Sequence, residues 1–291
     1  MLAIVVGLAS AVVYGVADFF GGLAAKRTAA VVVTALAAVV GLLVMLPFAF
    51  VIPARLSVDA VLWGGISGVT GAAAIFLLYA ALAIGPMSIL SPLTAVLSAL
   101  VPMTWGLASG ERLPWWGYVA LGAILVAIVL VGFVPEKGAV RPSLRGILFA
   151  TGAGVLIGVF FILIDRAPDD SGLYPLLGNR GVSGAILLVV VLVLVLRGRR
   201  REERPVFPGL RAALPVIVAC GIADAAANVL ILVGLRMGDL TVMSVLAALY
   251  PAGTIALAAI VLRERIAPVQ WVGLALALLG AAILALPAPA G

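Results

Sequence analysis

The chain has 291 residues, of which 65% are apolar and only 10% are charged, against the roughly 25% of charged residues in soluble domains. This composition excludes an ordinary soluble globular protein and indicates a polytopic membrane protein. The net charge of +6 does not indicate nucleic-acid binding, because the basic residues lie in short breaks between apolar segments, where they act as topology signals.

Ten apolar segments, each about as long as one bilayer span of roughly 20 residues, fill the chain and leave no room for a soluble domain. The first segment has neither a basic start nor a small-residue cleavage site, so we expect a retained span and not a signal peptide. The predicted helices cover residues 2–24, 29–52, 60–84, 87–108, 114–134, 144–164, 173–196, 211–235, 240–262 and 267–286.

The stretch from Ala60 to Ala108 contains no charged residue and is too long for a single span. We predict that it reverses at Gly85-Pro86, because proline cannot continue a helix and glycine permits a tight turn. Pro92 and Pro102 then lie inside the fourth helix as kinks.

An internal repeat divides the chain into two halves. We predict a first repeat at residues 1–134, a linker at 135–143 and a second repeat at 144–291. Each repeat holds five helices, an odd number, so the fold is an all-α membrane protein with two inverted repeats. At a shift of 153 residues, the matching positions are Leu82, Gly85, Ser91, Leu93, Ala95, Ala99, Glu111 and Arg112 with Leu235, Gly238, Ser244, Leu246, Ala248, Ala252, Glu264 and Arg265.

Short motifs in both halves resemble EamA-type members of the drug/metabolite transporter superfamily. The resemblance covers nearly the whole chain and implies a ten-helix transporter of small solutes in a cell membrane, of the bacterial inner or plasma-membrane type. It does not name the cargo. The motifs are Gly15, the Ala-Leu-x-x-Gly-x-x-Ser turn around Gly85, Ser91-Pro92, Gly110-Glu111-Arg112-Leu113, Tyr250-Pro251 and Arg263-Glu264-Arg265-Ile266.

The sequence gives no support for a catalytic function. Intramembrane proteases and most integral phosphatases need histidine, and the chain has none. Asp169-Asp170 lacks the further carboxylates of a magnesium-diphosphate site and is interpreted as a short polar loop. Cys220, the single cysteine, is interpreted as a packing residue. We therefore expect no enzyme, no metal and no cofactor.

The informative residues are polar groups inside apolar segments, because a mid-bilayer carboxylate costs roughly 2.5–3.5 kcal/mol to insert. Ser10, Tyr14 and Asp18 recur every four residues and share one face of the first helix. Asp18 is a candidate for proton coupling or for binding a cationic group. The alternative is that Asp18 lies near the helix end and meets interfacial water.

The eighth and seventh helices carry the second polar group. Asp224 and Asn228 share a face and are either a cavity wall or hydrogen-bonding contacts between helices. Arg180 either reaches the membrane interface or neutralises Asp165 or Asp224.

Hydroxyl groups and prolines mark the fourth and ninth helices. Ser91 and Ser98 in one helix, and Ser244 and Tyr250 in the other, are candidates for lining a solute path, whereas packing is the alternative. Glycines at Gly64-x-x-x-Gly68 and Gly154-x-x-x-Gly158 predict close helix packing.

Orientation stays open at this stage. Of the 18 basic residues, 13 lie on the face opposite the termini and four on the terminal face, with Arg180 apart, so the positive-inside rule places both termini outside. The family resemblance implies the reverse.

The sequence favours a secondary transporter that moves a small organic solute by alternating access. Efflux of an amino acid, a related metabolite or an amphipathic drug is what the resemblance implies, with protons as a possible coupling ion. The expected partners are the solute, the lipid bilayer and a second copy of the chain in a homodimer, and no nucleic acid. The alternative is a membrane scaffold without transport, which would tolerate Asn at both Asp18 and Asp224.

Overall fold

The computed structural model describes residues 1–84, 87–132, 142–201, 209–261, 263 and 266–286, and all regular structure in these ranges is helical. The first five helices are α1 (Leu2–Ala25), α2 (Ala30–Val51), α3 (Val58–Ile84), α4 (Met87–Ala108) and α5 (Trp115–Gly132). The others are α6 (Leu144–Asp165), a 3₁₀ turn (Asp169–Ser171), α7 (Tyr174–Arg201), α8 (Leu210–Leu235), α9 (Leu240–Ala247), α10 (Tyr250–Val261) and α11 (Pro268–Leu284).

Eight stretches among the described residues are long and apolar enough to cross a membrane, and α9 with α10 counts as one of them. Two further apolar helices, Pro92–Ala108 and Pro268–Leu284, are shorter. The protein is therefore an all-helical, polytopic membrane protein. The predicted reversal at Gly85-Pro86 falls on residues outside the description, between the end of α3 and the start of α4.

The loops gather at two ends of the helix bundle. We call the end with the N-terminus and the α2–α3, α4–α5, α6–α7 and α8–α9 loops the terminal face, and the other end the basic face. On the terminal face, the Arg55 backbone N–H donates to the Asp170 carbonyl over 2.8 Å. On the basic face, Arg27 Nη1 donates to the Ala212 carbonyl over 2.8 Å.

Glycines set the closest helix contacts, as the sequence predicts. Gly64 and Gly68 bring α3 against the α7 backbone, where a Cβ on Gly68 would meet the Asn179 carbonyl oxygen at 2.5 Å. Gly154 and Gly158 bring α6 equally close to α4, where a Cβ on Gly154 would meet the Thr94 oxygen at 2.7 Å. The packing interpretation of both glycine pairs is confirmed.

The sequence predicts the ninth span as one continuous helix over 240–262, and the structure differs from this prediction. It breaks at Ala248 and Leu249, between α9 and α10. The Leu249 amide donates to the Leu246 carbonyl and the Ala252 amide to the Leu249 carbonyl, which are bonds between residues three apart. Pro251 follows and has no N–H to donate, so the regular helical ladder cannot run through this point.

The two halves of this span have different surroundings. Every residue of α9 is buried, and α9 packs on α1, α4, α5, α6 and α8. By contrast, the main described neighbour of α10 is α1, and Ile260 near its basic-face end is 77% exposed. The bundle is thus tightly packed around the ninth span at the terminal face and loosely packed at the basic face.

Candidate functional site

A group of polar side chains lies inside the helix bundle, at the meeting of α1, α7, α8 and α10. Tyr14 and Asp18 come from α1, Arg180 from α7, Asp224 and Asn228 from α8, and Tyr250 from α10. We call these six side chains the central site. They lie in four separate stretches of sequence, and helix packing brings them together.

An ion pair between Arg180 and Asp224 lies within the central site. The side chains are only 12% and 25% exposed, so the pair is largely shielded. Asn228 Nδ2 donates to the Asp224 backbone carbonyl over 2.8 Å and to its carboxylate Oδ1 over 3.3 Å. Arg180 therefore takes Asp224, and not Asp165, as its partner, and the side-chain amide of Asn228 holds the carboxylate in place.

The helix α2 comes close to this ion pair through a glycine. A Cβ on Gly41 would lie 3.6 Å from Arg180 Nε and 3.7 Å from the Ala225 Cβ. Arg180 Nε is itself buried and has no hydrogen-bond partner among the described residues. Ser183, three residues further along α7, also has a buried hydroxyl without a partner in this part of the chain.

Asp18 is the acidic group of the central site without an ion-pair partner among the described residues. Its side chain is exposed, although it lies within electrostatic reach of Asp224 and Tyr250. The Tyr14 hydroxyl lies within reach of Asp18, Asp224 and Arg180. Two carboxylates face one arginine, so the site carries a net negative charge when all three ionise. Because an intramembrane carboxylate is retained where it faces a partner or a water-filled cavity, we expect solvent to reach Asp18.

Three of the predicted hydroxyl positions donate to their own helix. Ser10 donates to Gly7 over 2.6 Å, Ser98 to Ala95 over 2.8 Å and Ser244 to Thr241 over 3.2 Å, and all three are buried. The side chain of Ser91 lies outside the part of the chain that the structure describes. A role of these four residues in a solute path stays a prediction.

The terminal face carries a contact that the sequence did not reveal. The Glu111 carboxylate, in the α4–α5 loop, accepts the backbone N–H groups of Leu240 and Thr241, each over 2.9 Å. These are the first amides of α9, so a side chain from the first half of the chain caps a helix of the second half. Gly106 leaves the space that the carboxylate occupies. We call this contact the Glu111 cap.

Further contacts join loops on the same face. Arg236 donates to the Gly172 carbonyl over 2.9 Å and to the Ser171 hydroxyl over 3.1 Å. Burial lowers the pKa of this guanidinium, while the neighbouring Asp169 and Asp170 oppose the shift. Asp169-Asp170, interpreted as a polar loop, belongs to the 3₁₀ turn that Arg236 holds.

The pKa of Asp239, at the start of α9, is raised by burial and then by the charge of Glu111.

Comparisons with known proteins identify the fold, and they match the second half of the chain to a transporter family. Residues 144–286 match the model of the EamA-like transporter family. A solved crystal structure, whose description names no activity, superposes with a TM-score of 0.76 at 20% sequence identity. The superposition covers 99% of each chain, and at this identity it shows the fold alone. A comparison with curated proteins finds no match.

Proposed function

Because residues 144–286 match the model of the EamA-like transporter family, which lies within the drug/metabolite transporter superfamily, we propose that the chain is a secondary transporter that exports a small organic solute. The solute binds at the central site, and the two halves of the chain expose this site to each side of the membrane in turn. The observation that carries this proposal is the exposed Asp18 beside a shielded Arg180–Asp224 pair in the bundle interior. A membrane interior retains such charges where they serve a solute or an ion.

The packing pattern supports two inverted five-helix halves. Under the repeat, α1 to α3 correspond to α6 to α8, α4 to α9 with α10, and α5 to α11. The extensive α1–α8 contact then corresponds to the equally extensive α3–α6 contact. The α4–α6 contact corresponds to the contact of α1 with α9 and α10, whereas α2–α7 and α5–α11 each correspond to themselves. Exchanging the halves therefore maps each of these contacts onto another or onto itself, as a two-fold repeat requires.

The uneven packing of the ninth span supports alternating access. At the terminal face, the Glu111 cap and the wholly buried α9 close the bundle. At the basic face, α10 is loosely packed and partly exposed. This arrangement corresponds to a transporter whose central site is open toward the basic face and closed toward the terminal face.

Transport is tested in proteoliposomes that contain the purified chain and a pH-sensitive dye. A panel of amino acids, polyamines and quaternary ammonium compounds is applied to wild type and to Asp18→Asn. We expect one compound to drive a proton flux that is lost in Asp18→Asn, because that variant removes the exposed carboxylate of the central site. The proposed solutes are an amino acid, a related metabolite or an amphipathic drug, with protons as the coupling ion.

The matched control is Asp59→Asn, which removes an exposed carboxylate in the first turn of α3, away from the central site. It is expected to leave any flux at the wild-type level. Absence of proton flux and of labelled-solute exchange across the whole panel contradicts the proposal. A flux that Asp18→Asn retains in full contradicts the coupling role of Asp18 alone.

A further inference from the structure

The central site contains a hydrogen-bond donor that its own residues leave unused. Arg180 Nε is buried and has no partner among the described residues. The Ser183 hydroxyl, one turn further along α7, is also buried without a partner in this part of the chain. A buried donor without an acceptor costs about 1–3 kcal/mol, so the unpaired Nε beside the ion pair calls for an acceptor from outside the described chain.

The guanidinium of Arg180 is the stronger of the two donors. It has five N–H bonds in a planar fork, a geometry that fits a carboxylate, and its ion-pair partner in the described chain is a carboxylate, that of Asp224. The backbone of α2 at Gly41 carries no side chain that would cover Nε. The two side chains of the pair are also 12% and 25% exposed, so the surrounding helices do not enclose the pair completely.

We propose that Arg180 binds a carboxylate group of the transported solute and that Asp224 is the resident counter-ion which this carboxylate displaces. The inference rests on the proposed transport function and narrows the solute to the class of small organic acids, including zwitterions.

The test compares matched pairs of compounds that differ at the carboxylate. The probes are L-leucine with L-leucinamide, L-phenylalanine with L-phenylalaninamide, and benzoate with benzamide. Thermal unfolding of the detergent-purified chain is measured at millimolar concentrations of each compound. We expect at least one acid, and none of the amides, to raise the Tm of wild type.

The variants distinguish an Arg180 that binds the solute from an Arg180–Asp224 ion pair that only stabilises the fold. Arg180→Gln is expected to weaken acid binding by about tenfold or more, the usual effect of losing a charge-assisted hydrogen bond. Asp224→Asn is expected to strengthen acid binding, since the competing carboxylate is gone. In the double variant, Arg180→Gln with Asp224→Asn, neither residue of the pair is charged, so no single charge is left buried. It therefore tests acid binding even where a single variant fails to fold.

The control is Arg55→Gln, which removes a surface arginine whose pairing with Asp170 spans 3.9 Å. It should bind the acid as wild type does. The inference is overturned if none of the three acids shifts the Tm, if the amides act as well as the acids, or if Asp224→Asn weakens acid binding as much as Arg180→Gln does. Transport of a cationic or neutral compound by a chain that binds no acid would overturn this inference and leave the transport proposal standing.

Discussion

At the scale of single residues, the bundle depends on positions where a side chain has no room. Gly15 of α1 lies directly against the start of α10, and Thr254 Oγ1 donates back to the Gly15 carbonyl over 3.2 Å. A Cβ on Gly15 would meet the Thr254 nitrogen at 2.5 Å and the Gly253 Cα at 2.6 Å. Both are backbone atoms, so a methyl group there cannot be accommodated by rotating a side chain.

Gly15→Ala is therefore expected to destabilise the protein by about 1–3 kcal/mol, the usual cost of overpacking. The measurement is thermal unfolding in detergent. Gly122→Ala in α5 is the matched control, because nothing lies within 4 Å of a Cβ at that position. The control should be neutral or slightly more stable, since alanine favours helix over glycine. Equal stability of the two variants would show that the α1–α10 contact tolerates a side chain.

At the scale of elements, the ninth span joins a buried helix to an exposed one through a break at Ala248 and Leu249. The Glu111 cap holds the buried part, α9, to the first half of the chain. Thr241 adds a second link, because its hydroxyl donates to the Met103 carbonyl of α4 over 3.2 Å. These contacts must open if solute is to leave through the terminal face.

Glu111→Ala is expected to increase access to the terminal face. The assay labels Leu240→Cys, at a position that is 2% exposed, with a membrane-impermeant maleimide, in a background in which Cys220→Ser removes the native thiol. The initial labelling rate should rise several-fold, because the first amides of α9 lose their acceptor, at a cost of about 1 kcal/mol for a helix cap.

The control for this experiment is Asp59→Ala, which removes a carboxylate from the same face without touching α9. Its labelling rate should match that of the unsubstituted background. An unchanged rate in Glu111→Ala would mean that the cap does not limit opening, and the closure of this face would then depend on apolar packing alone.

Sequence reasoning located the elements better than their mutual contacts. Hydropathy located the helices, and Gly85-Pro86 fell between α3 and α4, because both signals are local. The break before Pro251 was missed, since a proline inside an apolar segment is also compatible with a kinked helix. Arg180 pairs with Asp224 and not with Asp165 because of the way in which α7 and α8 are rotated where they pack on α2. No local sequence pattern encodes these rotations.

The Glu111 cap shows the same limit of prediction from the sequence. Glu-Arg recurs at Glu111 and Glu264, which marks the position as part of the repeat. Its partner amides lie 129 and 130 residues further along the chain, and backbone amides carry no sequence signature. The repeat signal therefore identified the residue but not its role.

At the scale of the whole molecule, charge is divided unequally between the two ends. In the sequence, thirteen basic residues lie in or next to the segments that connect α1 to α2, α5 to α6, α7 to α8 and α10 to α11. Four lie in or next to the segments that connect α2 to α3, α4 to α5, α6 to α7 and α8 to α9. The described contacts agree with this grouping of loops, since Arg27 reaches Ala212 on one end and Arg55 pairs with Asp170 on the other. The positive-inside rule counts such loops and predicts that the basic face lies in the cytoplasm.

We therefore expect both chain termini to lie outside the cytoplasm. A reporter that is active only outside the cytoplasm, fused after the last residue, should be active, and a fluorescent protein that matures only in the cytoplasm should remain dark. A parallel pair of fusions within the loop of residues 202–208 should give the opposite result. Cytoplasmic termini would show that the loop charges do not set the orientation of this chain.

The position of the ion pair has a consequence for biogenesis. Arg180 lies on α7 and Asp224 on α8, which leave the ribosome one after the other, while α2, whose Gly41 lies beside Arg180 Nε, is already made. Until α8 arrives, α7 must hold an unneutralised arginine among lipids, and only its long apolar run from Ile186 to Leu196 favours insertion. Membrane insertion of these two helices is thus linked, and α7 becomes fully stable in the bilayer only when the next helix of the chain has joined it.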